Sequence, residues 1–110
     1  MTPKSGDIVL VELGMPRGHE QAGTRPGIVV SVSNRMVLAI PITSNTAALR
    51  FSAVHLVAPS KKNRLDADSI ALVFQLRALD ARYIRSRVGL IDAGDKRELN
   101  KLLGTIAHIR

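Results

Sequence analysis

At 110 residues, 45% of them apolar, the chain is long enough for one domain with a single core and too apolar for a disordered tail. It has no cysteine, which excludes disulfides, thiolate nucleophiles and cysteine-held zinc and fits a reducing compartment. Sixteen Lys and Arg against nine Asp and Glu give a net charge of +7, a balance suited to a polyanionic partner: nucleic acid, an anionic membrane surface or an acidic protein. The first residues, Met1 to Asp7, lack the apolar core of a signal peptide. The longest apolar run, Met36 to Ile42, contains Pro41 and is too short to cross a bilayer, so a cytoplasmic protein with no membrane association is expected.

In chain order, Ile8–Leu13 is a run of branched apolar residues introduced by Gly6-Asp7 and reads as a first, largely buried strand. A polar loop follows, punctuated by Gly14, Pro16, Gly18, Gly23 and Pro26. Gly27–Val32 reads as a second strand, turning at Ser33-Asn34-Arg35 into a third over Met36–Ile40. Pro41, which has no N–H for a ladder, is expected to end it. Thr43 to Thr46 forms a second polar loop, and Arg50–Val57 alternates weakly as a fourth strand. Pro59 to Asp68 is a charged turn region, Ser69–Phe74 a buried strand continued in extended form to Leu79, and Asp80–Ile84 a helical turn capped by Asp80. Val88–Ile91 is a last short strand. Asp92 then caps an amphipathic helix carrying Leu99, Leu102, Leu103, Ile106 and Ile109 on one stripe, interrupted by Gly104. The stripe reads as core packing. Nothing helical separates the first three strands, so an alternating βαβ arrangement is excluded, and a mainly β, strongly curled small barrel with a C-terminal helix is predicted.

The loop Gly18–Pro26 holds an imidazole, a carboxylate, a carboxamide and a guanidinium: His19, Glu20, Gln21 and Arg25. Loops on a rigid scaffold are where binding and catalytic groups concentrate. No spacing of His, Asp and Glu has the pattern of a metal site, and no cofactor is implied. The only aromatics are Phe51, Phe74 and Tyr83, so a stacking platform of the RRM or OB type is not expected. His55, in a strand, and His108, at the chain end, read as structural or solvated.

Five motifs in register, Gly6-Asp7-Ile8, Gly18-His-Glu-Gln21 with Gly23-x-Arg25-Pro26, Pro41-x-Thr43-Ser44, Asp68-Ser69 and Gln75-x-Arg77, resemble the MazF/PemK toxins of toxin–antitoxin pairs over nearly the whole chain. The resemblance implies an SH3-like barrel, a two-fold homodimer and a single-stranded RNA substrate lying along the dimer groove. It also implies metal-independent mRNA cleavage leaving a 2′,3′-cyclic phosphate and a 5′-hydroxyl. The inhibitor would be a cognate antitoxin whose acidic C-terminal segment wraps the same groove.

Attack of a ribose 2′-hydroxyl on its own phosphate needs a base, a cation on the phosphoryl oxygens and an acid for the leaving 5′-oxygen. Arg25 is no base in water, but its fork suits a phosphoryl group. Thr43 or Ser44 can donate a hydroxyl hydrogen bond to the same phosphate. His19 and Glu20 are the candidates for proton transfer, Glu20 equally for an ion pair with Arg25 or another arginine that shapes the loop. Gln21, Thr24, Ser44, Asn45, Gln75 and Arg77 are the candidate RNA contacts, Arg77 also as a partner of Asp80 or Glu20. The variable stretches 15–17, 46–50 and 60–64 are the candidates for reading base edges. Some family members carry an acidic residue immediately before the glutamine of Gln-x-Arg; this chain has Phe74, with Leu72 two residues earlier. Proton transfer through that carboxylate is therefore excluded. A non-catalytic nucleic-acid-binding regulator, or a gyrase poison on the same fold, is the alternative.

Overall fold

The computed structural model describes residues 2–12 and 23–107. Among the described residues, seven strands and one helix succeed one another: β1 (Asp7–Glu12), β2 (Thr24–Ser33), β3 (Met36–Thr43), β4 (Val54–Val57), β5 (Ser69–Leu72), β6 (Arg77–Asp80), β7 (Ile84–Leu90) and α1 (Ala93–Ala107). Three short 3₁₀ turns, Thr46–Arg50, Val73–Gln75 and Ala81–Tyr83, punctuate them. All described pairings are antiparallel, in the order β4-β5-β3-β2-β1-β7, with β6 on β3. The sheet curls without β4 and β7 pairing to each other. Register shifts between β1 and β7 and between β2 and β3 supply the bends, as bulges do.

The apolar runs lack polar alternation because the curled sheet is covered on both faces. Ile8, Ile28 and Ile40 belong to one buried cluster, with Ile42, Val57, Ala71, Val73, Ile91 and Leu99 of α1. Their chain neighbours Val9, Val29 and Ala39 point the other way, into a second cluster with Val37. Successive side chains of a strand point to opposite faces, so a run such as Ile8-Val9 feeds both cores. The helical stripe packs as expected: Leu99 is buried, with Leu102, Leu103 and Ile106 against the first cluster. Burial of one such leucine contributes about 1.5–3 kcal/mol.

The β2–β3 hairpin turns on Asn34 and Arg35, both with positive φ (51° and 68°), and Ser33 pairs with Met36. That is the conformation of a tight two-residue hairpin turn, and Asn adopts it more readily than most residues. Pro41 does not end β3, which runs on to Thr43. Its outer edge changes partner there: pairing to β6 ends at Ala39↔Arg77 and pairing to β5 begins at Ile42↔Ala71. The proline, with no N–H to give, occupies the gap between the two ladders. The fourth strand is shorter than its alternation suggests, because Thr46–Arg50 coils into a turn whose Ala47 N–H is met by the Asn45 side chain. Phe74 likewise lies in a turn and not in β5, while the strand expected at Val88 starts earlier, at Ile84.

Asp80 caps its turn as predicted, its Oδ1 accepting from the Arg82 N–H at 2.9 Å. Asp92 precedes α1, and its carbonyl accepts the N–H of Lys96. Its carboxylate instead accepts from the Ser60 hydroxyl (2.6 Å) and the Asn63 amide (3.4 Å). His55 is structural: Nε2 lies 2.8 Å from Asp95 Oδ1 and ties β4 to the first turn of the helix. Ile109 and His108 lie outside the described residues.

Candidate functional site

A cavity of about 340 Å³ opens where β1, β2, β3 and β6 meet over the second apolar cluster. Its shape follows from which residues are small. Strand β3 lies between β2 and β6, so Ala39 faces Val29 on one side and Arg77 on the other, and Pro41 faces Gly27. Gly27, Ala39 and Ala78 leave the room, and Arg25 and Arg77 line it from β2 and β6.

Glu12, Asp80 and Tyr83 also line this cavity. Glu12 is ion-paired to Arg85 of β7. The second oxygen of Asp80 lies 3.9 Å from Arg82 Nε. The Arg82 guanidinium donates to the Tyr83 hydroxyl at 3.2 Å and sits 5.1 Å from that ring. The hydrogen bond to the Tyr83 hydroxyl, and after it the negative charge of Asp80, raise the Arg82 pKa above its ordinary value. The result is a partly apolar hollow with two guanidinium groups in its wall and a rim of paired charges. Such a hollow suits a phosphorylated ligand that presents apolar faces between its charges.

Thr43 closes β3 beyond Pro41. The β2–β3 pairing ends at Gly27↔Pro41, so Arg25 and Thr43 each lie two residues past it, Arg25 paired to Val11 of β1 and Thr43 to Ile70 of β5, and Thr43 does not line the cavity. The Thr43 hydroxyl accepts the Asn45 N–H at 3.1 Å, which leaves its proton to donate. Asn45 accepts from Ala47 at 3.0 Å and is occupied in capping the turn, while Ser44 is exposed beside it. Thr24 precedes Arg25 at the head of β2, opposite Glu12, and Gln75 is exposed in the turn leading to Arg77. Arg77 forms no ion pair among the described residues, so of its alternative roles the pairing to Asp80 is absent; that carboxylate serves Arg82. His19, Glu20 and Gln21 lie outside the described residues, as does 15–17.

The sequence reading missed Glu12, Tyr83 and Asp80 as lining groups. Strand register places Glu12 and Asp80 there and the 3₁₀ turn after β6 places Tyr83, and no local motif announces either. It also missed Asn63, fully buried in the 60–63 turn. Asn63 Oδ1 accepts from Ser60 and Leu65, and its Nδ2 donates to the Ala58 carbonyl.

A curled antiparallel sheet with one terminal helix, and arginines from two strands sharing one hollow, define a small mainly β class of basic protein. A family model described as PemK-like, MazF-like toxin of type II toxin–antitoxin system matches residues 4–107, and the chain belongs to this family. Among solved structures it is similar to MazF from Deinococcus radiodurans, at 25% identity over 99% of both chains with a TM-score of 0.75. A MazE–MazF structure from the same organism gives a TM-score of 0.77 at 24% identity, covering 98% of this chain and 97% of that one. An endoribonuclease in complex with its cognate antitoxin from a mycobacterial species gives 0.68 at 18% identity, covering 98% and 95%. The fold predicted from the sequence is thus the fold of the MazF structures.

Proposed function

We propose that this toxin is a ribosome-independent, sequence-specific endoribonuclease that cuts single-stranded mRNA without a metal ion. The observation that carries the reading is the meeting of Arg25 and Arg77 at one cavity in a chain of this family. The scissile phosphate sits against the Arg25 fork, and the Thr43 hydroxyl donates to a phosphoryl oxygen. His19 or Glu20 takes the proton of the ribose 2′-hydroxyl. The 2′-oxygen attacks phosphorus, the bond to the 5′-oxygen breaks, and that oxygen takes a proton from whichever of His19 and Glu20 is in its acid form. The products are a 2′,3′-cyclic phosphate and a 5′-hydroxyl. Arg77, Thr24, Gln75, Ser44 and Asn45 hold the strand on either side. The working form is a cytoplasmic homodimer, neutralised by an antitoxin whose acidic C-terminal segment covers the same basic groove. The antitoxin-bound relatives support that choice of partner.

A second reading, a toxin that binds nucleic acid without cutting it, is favoured by one observation: Phe74 stands where some members carry a carboxylate. Incubation of the purified protein with a long single-stranded RNA in EDTA, with the ends mapped, separates the two. Discrete cuts with 5′-hydroxyl ends, absent in Arg25→Ala, are expected. Intact RNA of two unrelated sequences would reject the nuclease in favour of the binder.

A further inference from the structure

The chain has two phenylalanines, and neither enters a core cluster. Phe51 and Phe74 are 44% and 43% exposed, yet they meet each other, ring centroids 5.5 Å apart and planes tilted by 56°. The Arg50 guanidinium lies 4.6 Å from the centroid of the Phe51 ring. Two exposed rings brought together from distant parts of the chain, with a cation on one of them, form a surface of a particular chemistry. Such a surface is apolar and polarisable, and it is electropositive at its border.

Its position is set by the same elements as the candidate site. Phe51 ends the turn that Asn45 caps just beyond Thr43, and its N–H donates to the Ala48 carbonyl at 3.1 Å. Phe74 sits in the turn that leads through Gln75 to Arg77. The two turns therefore continue the strands that carry Thr43 and Arg77. Along the chain, Phe74 stands three residues before Arg77 and Phe51 eight after Thr43.

We infer that Phe51 and Phe74, with Arg50, form a platform on which an unpaired nucleobase of the bound RNA strand stacks. This rests on the single-stranded RNA reading given above. Every base has a π-face, and aromatic rings and arginine planes are the groups on which splayed bases stack. The cation beside Phe51 and the chain's net charge of +7 favour a nucleic acid over an apolar protein segment as the occupant. In this chain Phe74 thereby supplies binding at a position where some relatives supply a carboxylate.

The test uses fully 2′-O-methylated single-stranded oligo(A) and oligo(U), which cannot be cut by 2′-hydroxyl attack, and a Phe74→Trp variant. The natural chain has no tryptophan, so the introduced indole is the only one to report. Stacking predicts saturable quenching of its emission, stronger with oligo(A). Phe51→Ala, Phe74→Ala and Phe74→Leu should each weaken binding about tenfold, with Phe74→Trp close to the parent. The rings pack chiefly on each other, so the variants should stay folded and thermal melts should show only the small loss of one aromatic pair. Unchanged affinity in Phe74→Ala and Phe74→Leu, or an unquenched indole in Phe74→Trp, would overturn the platform. So would a change in sedimentation confined to these variants, which would make the rings a contact between copies of the chain. Cleavage lost in Arg25→Ala but with wild-type binding in Phe74→Ala would reject the platform and keep the nuclease; quenching without cleavage would do the reverse.

Discussion

The carboxylate of Asp7, 1% exposed at the head of β1, accepts a hydrogen bond from Arg87 Nε on β7 at 2.9 Å. Its other oxygen accepts the Lys4 N–H at 2.8 Å, so one buried group pins both the chain's entry and the last strand. Removal of the two partners should not be equivalent. Arg87→Ala leaves a buried, under-compensated carboxylate and should cost about 3 kcal/mol. Asp7→Ala frees a half-exposed arginine that water can solvate, and should cost less, about 1–2 kcal/mol. Urea unfolding of both variants checks the order; equal losses would mean that the buried charge is not the source of the cost.

Gly89 on β7 lies against the 60–63 turn, where an added Cβ would come within 2.4 Å of the Asn63 carbonyl oxygen and 2.8 Å of that of Lys62. Both are backbone atoms of a turn that Asn63 holds by its own side chain, so neither can give way cheaply. Gly89→Ala should lower stability by about 2–3 kcal/mol through overpacking. Gly104→Ala, with open space around it in α1, should be neutral or slightly stabilising. Tm values of the pair decide it, and a neutral Gly89→Ala would show that the 60–63 turn shifts freely.

Much of this architecture is legible in the chain because local signals and the fold agree: the Ser33-Asn34-Arg35 turn, the Asp80 cap and the Leu99–Ile106 stripe each stand where the residues put them. Pro41 misleads, because its effect depends on which strand lies alongside, and β3 changes partner at that residue. Arg50 to Ala53 mislead for a related reason. The Asn45 cap commits the preceding residues to a turn before β4 can begin. In the site, Arg25 and Arg77 are readable as motif residues, whereas Glu12 reaches the cavity through strand register and Tyr83 through the turn after β6, which no short pattern encodes. The scarcity of aromatics argues against a stacking surface, yet two of the three meet on the protein surface because the turns around Arg50 and after Leu72 lie together.

Thr43 separates a hydroxyl's chemistry from its place in the fold. Its oxygen accepts the Asn45 N–H while its proton is available to a phosphate. Thr43→Ser keeps both roles and should retain cleavage within about tenfold of the parent. Thr43→Val keeps the shape and loses both, which should reduce the cleavage rate roughly 10²–10³-fold, as for loss of one donor to a developing oxyanion. The accompanying stability loss should be about 0.5–1.5 kcal/mol. Single-turnover cleavage and thermal melts of the same samples check both numbers, and a Val variant that cuts like the Ser variant would remove Thr43 from the reaction.

Arg25 and Arg77 share a cavity but should not share a role. If Arg25 meets the phosphoryl group that reacts, Arg25→Ala should reduce single-turnover cleavage roughly 10²–10³-fold at saturating RNA, where binding no longer limits the rate. If Arg77 meets a neighbouring phosphate, Arg77→Ala should leave the saturated rate within about tenfold and weaken binding instead. Its binding should also depend less steeply on salt, the slope of log K against log salt falling by about 0.7, one counterion's worth on a single strand. Both side chains are exposed, so either variant should still fold, which a thermal melt checks. Binding of a 2′-O-methylated strand across a salt series, beside single-turnover cleavage, resolves the pair. Equal slopes for parent and Arg77→Ala would mean that Arg77 touches no phosphate, and its place in the cavity wall would then be structural.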